Sequence, residues 1–389
     1  MSVTHPEGFV AASGSAGIKG DGSADVSVVA TDDGRPVRAA GVFTSNLAPA
    51  ASVRISRAHL GASGGRAAAV IATSGNANAA TGAAGMDAAN ELCGLVARAL
   101  GTGATNVLIC QTGLIGVPFP METVRPHIAG IVAGRGATPS DALRAARAIM
   151  TTDTAEKQVL VPGDGFSVGG MAKGAAMLSP NMATMLAILT TDANVEGAEL
   201  SEALAGSIVS SFNSLSVDAS TSTNDTVLVL ASGRGGRPRK GALQEALSDA
   251  CGSLALQMAT DAEGSTKVFT VTVIGASSDG EARKAARKVG TSLLVKCSMN
   301  GADAYWGRVL SELGSAGVAF DPERVCISYG GIEVCRDGVG ASFDEVALGK
   351  HMGSGHVALC CDLGLGDGEG QMLSVDLGHG YIDENRTTS

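Results

Sequence analysis

The sequence predicts an α/β protein, α+β in stricter usage. Stretches with apolar residues at helical spacing alternate along the whole chain with short apolar runs bounded by Gly, Asn and Asp, and no internal repeat or low-complexity linker separates the two kinds. The composition agrees: 389 residues with 45% hydrophobic, 17% charged and 54 glycines hold enough apolar material for a large core and enough turn formers to fold it. The length corresponds to two or three domains on the usual prior. A formal charge of -10 argues against nucleic acid as a partner, because phosphate neutralisation needs a basic surface. No apolar run approaches the roughly 20 residues of a membrane helix, so no membrane partner is expected. The opening residues MSVTHPEGFVAASGSAG lack a basic start followed by an apolar core, which argues against a secretory signal. The eight cysteines show no CxxC spacing and read as reduced, buried thiols of a cytoplasmic protein.

In chain order, GVFTSN (Gly41 to Asn46) reads as a strand ending in a turn, and Ala68 to Ala72 as a buried strand opening into the loop TSGNANAATG. Small and amide residues in that loop serve a turn or a close approach to a ligand equally well. Met86 to Leu100 is a helix stopped by Gly101. Asn106 to Gly116 is an apolar strand that runs into Gln111, Thr112 and Gly113. A strand ending in Thr-Gly can present a hydroxyl and the adjacent N–H in one direction, as an oxyanion hole requires, or can be a plain strand end. Ser140 is expected to cap a helix over Asp141 to Met150. Thr151 and Thr152 follow, suited either to holding a small polar group or to satisfying the helix end. Gly163 to Gly165 is a hairpin turn and not a phosphate loop, since no GxxxxGK[ST] follows.

The centre of the chain, MAKGAAMLSPNMATMLAILTTDA (171–193), holds the most informative pattern. Ala183 precedes Thr184, and an apolar strand-like run, Met185 to Leu189, follows. An interior threonine has no base of its own, whereas a threonine at a chain start carries an α-amine with a pKa of ~7.7 to 8.0 and so combines nucleophile and general base. Cutting the Ala183–Thr184 bond would create that pair. Lys173, eleven positions earlier, reads on its own as a surface lysine with its stem laid over apolar neighbours.

Beyond the centre, Glu196 to Phe212 and Gly241 to Thr260 are helices, and Val227 to Leu230 is a strand preceded by the hydroxyl and amide cluster SVDASTSTND. Glu263, taken alone, is a solvated carboxylate at a helix end. Strands follow at Arg324 to Tyr329 and His356 to Gly364. His351 and His356 lie five apart with no third ligand nearby, so no metal site is expected.

The run Asn181-Met182-Ala183-Thr184-Met185-Leu186, with Lys173-Gly174 upstream, resembles the signature of the ArgJ family of ornithine acetyltransferases. Further blocks agree: Gly41 to Thr44, the Ser-Gly-x-Ala-Asn loop, Met150 to Asp153, Asp218 with Ser222 to Thr226, Glu263-Gly264 with Thr266-Lys267, and Asp303 with Trp306 to Arg308. The chain departs from the family at Gln111, Ala304, Tyr305 and in a shortened tail. The resemblance implies layered sheets flanked by helices, of the ArgJ/DmpA-like N-terminal-nucleophile kind. It implies self-cleavage into an α chain, 1–183, and a β chain, 184–389, with two of each assembled. Thr184 is then the nucleophile, Thr112 and Gly113 the oxyanion hole, and Thr151 (with Thr152 as the near alternative), Lys173, Thr184, Glu263, Asn385 and Ser389 the substrate contacts. The implied reaction moves an acetyl group from N2-acetylornithine to glutamate without a cofactor. Acetyl-CoA as a further donor stays open, since no CoA motif stands out. Two other readings compete: a hydrolase or specialised acyltransferase on the same scaffold, and a binding protein, which predicts an uncut chain.

Overall fold

The computed structural model of the chain describes residues 2–177 and 185–386. Ala183, Thr184 and Ser389 therefore lie outside the described residues. One unit forms from residues up to Asn213 together with Ser220–Met258, and a second from Ser214–Ala219 together with residues from Ala259 on.

The strands of the first unit are β1 (Phe9–Gly14), β2 (Val26–Thr31), β3 (Val37–Phe43), β4 (Arg66–Ala67), β5 (Ala69–Asn76), β6 (Val107–Leu114), β7 (Lys157–Pro162), β8 (Ser167–Lys173) and β9 (Leu186–Thr191). The next strand, β10 (Leu215–Ser216), belongs to the second unit, and β11 (Thr226–Ala231) returns to the first. They build two sheets, ordered β1-β2-β5-β6 and β4-β3-β11-β9-β8-β7. Successive side chains of a strand point to opposite faces, and that alternation sorts the core. Val28, Ile71 and Ile109 share one apolar cluster with Leu92 and Val96 of the helix Gly82–Leu100. Their sequence neighbours Val29, Val70 and Leu108 turn the other way and share a cluster with Met171, Ile188 and Leu228 of the six-stranded sheet. On the far face of that sheet, Gly170 lies against Leu254 of the helix Ala242–Thr260, 3.3 Å from where a Cβ would stand. The unit is thus layered helix, sheet, sheet, helix, a mixed α/β fold as the sequence predicts.

β8 and β9 are antiparallel neighbours inside the six-stranded sheet, with Lys173 opposite Leu186. β9 in turn pairs in parallel with β11, Leu186 opposite Thr226. The stretch that carries the candidate scission point therefore links two adjacent interior strands.

The second unit adds β12 (Val268–Ala276), β13 (Cys326–Tyr329), β14 (Ile332–Arg336), β15 (Val339–Gly340), β16 (His356–Asp362) and β17 (Gly368–Val375). Together with β10 they form one sheet, ordered β10-β17-β12-β16-β13-β14-β15. Phe269, Val271 and Val273 turn one face of β12 onto Ala282, Ala286 and Val289 of the helix Asp279–Gly290. The buried Lys296 donates to the carbonyls of Val217 at 2.7 Å and Val375 at 2.9 Å, which ties the short 214–219 segment to the end of β17.

Three expectations are corrected. The helix after residue 137 starts two residues earlier than Ser140 suggests: it runs Pro139–Ala148, and Thr138 is its cap in a reciprocal pair with Asp141. Proline at the first helical position has a pre-set φ and no N–H to satisfy, so it moves the start toward Thr138, while Ser140 accepts from Arg144. The helix expected over Glu196 to Phe212 spans Gly197–Val209, and Phe212–Ser214 forms a separate 3₁₀ turn. Not every cysteine is buried: Cys297 is exposed and Cys326 and Cys360 are half-buried. Both histidines are engaged within the second unit, His351 Nε2 accepting from Ala358 N–H at 3.1 Å and His356 Nε2 lying 2.8 Å from Thr270 Oγ1. Among the described residues no helix is long and apolar enough to cross a membrane.

Candidate functional site

β5 and β6 run in parallel and end together, Ser74 opposite Thr112 and Gly75 opposite Gly113. Gly113 has φ +129°, and a Cβ on it would lie 2.2 Å from the Gly75 carbonyl carbon. Only glycine fits there, because the two strand ends close on each other in a conformation that side chains disfavour. This close approach sets the buried Thr112 at the edge of the sheet.

Gln111, a departure from the family pattern, is fully buried and works locally. Its Oε1 accepts from Asn78 Nδ2 at 2.9 Å, its Nε2 donates to Thr73 Oγ1 at 3.3 Å, and its carbonyl accepts from Asn224 Nδ2 at 2.8 Å. Asn78 also donates to the Gly85 carbonyl, and Asn76 to the carbonyls of Val117 and Pro118. The amides of the 76–82 loop are thus spent on holding backbone, which favours its reading as a structured turn.

Lys173, at the end of β8, is 3% exposed and not on the surface. Its Nζ donates to Thr151 Oγ1 at 2.6 Å and to Thr112 Oγ1 at 3.4 Å, and lies 3.8 Å from Asp153 Oδ2. Three residues named from the sequence, Thr112, Thr151 and Lys173, are therefore brought together from β6, the connection after the helix Pro139–Ala148, and β8.

Asp153 organises this cluster and was missed as a functional residue in the sequence. It accepts from Lys157 Nζ at 2.7 Å, from Gly174 N–H at 2.7 Å and from Thr151 N–H at 3.0 Å. Burial alone would raise its pKa, but the ammonium groups of Lys173 and Lys157, with the Lys157 and Gly174 hydrogen bonds, hold it down at about 2. The signal available was the Asp153/Lys157 pair at i, i+4, which reads as a helix-surface pair until the strand is known. Lys19 was also missed. Its backbone N–H and those of Ala16 and Ile18 donate to the Asp25 carboxylate, its stem lies over Gly75, and burial lowers its pKa while the charges of Lys173 and Asp153 reach it.

Within the second unit the structure joins two more named residues. Asn385 Nδ2 donates to Glu263 Oε2 at 2.9 Å and to the Tyr381 carbonyl at 2.9 Å. Gly264 makes this possible: at φ +63°, it leaves room for Tyr381 N, which a Cβ would approach to 2.0 Å. Tyr305, a departure from the family pattern, is exposed and lies over Gly307. With Trp306, Phe343, Leu348 and Met352 it lines a cavity of about 400 Å³.

The sequence profile of the ArgJ family matches residues 10–387. The arginine biosynthesis bifunctional protein ArgJ of Mycobacterium leprae (strain TN) is 46% identical over 399 aligned positions, covering 100% of this chain and 96% of that protein. The protein of the same name from Symbiobacterium thermophilum is 44% identical, covering 98% and 97%. Among solved structures, an ArgJ crystal structure from Bacillus halodurans is 34% identical, with a TM-score of 0.49 over 51% of this chain and 96% of that one. An ornithine acetyltransferase from Mycobacterium tuberculosis complexed with ornithine is 42% identical, with a TM-score of 0.44 over 46% and 94%.

Proposed function

The chain belongs to the ArgJ family, and on that premise we propose that it is an acyltransferase of arginine biosynthesis that moves an acetyl group from N2-acetylornithine to glutamate. The precursor cuts itself between Ala183 and Thr184, and the resulting 1–183 and 184–389 chains assemble two of each. The freed α-amine of Thr184 takes the proton of its own hydroxyl as the oxygen attacks the acetyl carbonyl. Collapse of the tetrahedral intermediate returns that proton to the departing amine of ornithine and leaves an acetyl ester on Thr184. The amine of glutamate attacks the ester next, and the threonine hydroxyl is restored. Both leaving and entering groups are amines, so no cofactor enters the sequence of steps.

One observation supports this reading above the others: Lys173 donates to the hydroxyls of both Thr112 and Thr151. An ammonium has only donors, so each hydroxyl accepts from it and keeps its single proton for a third group. Thr112 is thereby disposed to donate to an oxyanion, with the Gly113 N–H beside it. Thr151 and Lys173 are disposed toward an acceptor on the substrate, such as a carboxylate. Glu263, held by Asn385, is the proposed partner of a substrate ammonium, and Ser389 joins it on the family resemblance.

Intact-mass spectrometry is the direct test. The wild type is expected as two chains, and Thr184→Ala as one inactive chain of 38.6 kDa. Fragments of unchanged size from Thr184→Ala would place the cut elsewhere. Kinetics should be ping-pong, with labelled acetyl reaching glutamate faster than water. Equal transfer to water would make the protein a hydrolase, and intersecting double-reciprocal lines would rule out an acetyl-enzyme.

A further inference from the structure

Asp225 is the last residue before β11 and is fully buried. Its Oδ1 accepts the Met185 N–H at 3.0 Å, and the Thr226 N–H reaches the Met185 carbonyl at 3.1 Å, so Met185 is held by both its backbone groups. Asp225 Oδ2 has no hydrogen-bond partner among the described residues. An aspartate with a purely structural task looks different in this same molecule. Asp376 takes Thr266 N–H and Lys267 N–H on one oxygen, and the Thr266 hydroxyl and Asn300 amide on the other.

The groups that bear on the Asp225 carboxyl come from three elements: Met185 before β9, Thr44 after β3, and Lys173 at the end of β8. Burial outweighs all three and pushes the carboxyl well above the usual carboxylate range. Burial thus favours the protonated form of Asp225, and its Oδ2, unpartnered among the described residues, costs stability and calls for an explanation. The nitrogen it holds is bonded to the carbonyl carbon of Thr184. Successive backbone nitrogens lie within about 3.6 Å of each other, so by covalent connectivity alone the nitrogen of the Ala183–Thr184 bond is one residue from the group that Asp225 holds.

We propose that Asp225 is the general acid of the self-cleavage, a role that rests on the reading of Thr184 given above. The Thr184 hydroxyl oxygen bonds to the Ala183 carbonyl carbon and the carbon–nitrogen bond between the two residues breaks. The Asp225 proton passes to the departing nitrogen, and the proton released by the hydroxyl returns to the carboxylate. Water then splits the ester, which restores the Thr184 hydroxyl and leaves a carboxylic acid on Ala183. Asp225 ends as it began.

The test follows scission of the full-length chain made by in vitro translation, sampled over time on denaturing gels between pH 5 and 10. Asp225→Asn keeps the shape and an oxygen for the Met185 N–H but gives up the acid proton. It is expected to be cut at least about 100-fold more slowly than the wild type, with a melting temperature like that of Thr184→Ala. The wild-type rate should fall as rising pH removes the Asp225 proton, and the residual rate of the variant should lack that limb. Asp225→Asn cut as fast as the wild type overturns the proposal and leaves the Thr184 reading standing. A wild-type chain that is never cut, or a Thr184→Ala chain that is, overturns that reading and the proposal with it. Where Asp225→Asn does not fold, the wild-type profile decides, since a rate that does not decline with pH overturns the assignment.

Discussion

Two hydroxyls and a carboxylate converge on Lys173, and each contact has a separate consequence. Thr112→Val removes the hydroxyl while keeping the shape, and kcat is expected to fall roughly 10²- to 10³-fold, the usual loss of one oxyanion donor, with little change in melting temperature. Asp153→Asn is a stability lesion instead. It strips the carboxylate from two buried ammonium groups and should cost about 3–5 kcal/mol in denaturant unfolding. The pH dependence follows the same group. Its folded pKa lies below the unfolded value, so its contribution is present above the unfolded pKa of about 4 and is lost as pH falls toward about 2. That loss amounts to roughly 2 kcal/mol, and Asp153→Asn should flatten this part of the acid-unfolding curve. Thr112, Thr151 and Lys173 were legible only through the family resemblance: from the residues alone Thr112 was equally a strand end, Thr151 equally a helix-end hydroxyl, and Lys173 a surface lysine, which its burial contradicts. Asp153 was not legible, because its second lysine is twenty positions away and meets it only once β8 has folded back along β7.

At the scale of elements, the pairing of β8 with β9 determines what a cut between them can do. Six residue pairs hold β8 to β9 and six more hold β9 to β11, and a nick in the connecting stretch removes none of them. The two fragments should therefore elute together in native size-exclusion chromatography and separate only in denaturant; fragments that part under native conditions would contradict this register. Strands such as β5, β6 and β9 were legible, since they are apolar runs with clear stops. The order of strands in the sheets was not. Which strands pair depends on crossovers such as β3 next to β11, and single-residue patterns carry no record of them. The misplaced start of the helix Pro139–Ala148 has a local cause, as two hydroxyl residues flank one proline and only the one before it can cap.

For the whole molecule, the chain passes from one unit into the other at 213, back at 219 and across again at 258. Each half of the proposed scission is consequently incomplete: residues 1–183 lack β9 and β11, and residues 184–389 lack the rest of both sheets of the first unit. Expressed separately, residues 1–183 should stay largely unfolded by far-UV circular dichroism and residues 184–389 should keep only the second unit's structure, while the uncut Thr184→Ala chain folds. A folded 1–183 half would refute the interleaving. Composition and alternating patterns made the fold class legible; the brief visit of residues 214–219 to the second unit was not, because β10 is two residues long and is held through its backbone and Lys296.

The interior position of β8 and β9 in their sheet also imposes a chronology. Met185 is gripped by Asp225 and Thr226 only after β9 and β11 lie side by side, so on the proposed mechanism the blade is drawn last. A polypeptide that misassembles never acquires its reactive amine, and maturation doubles as an inspection step that needs no outside inspector.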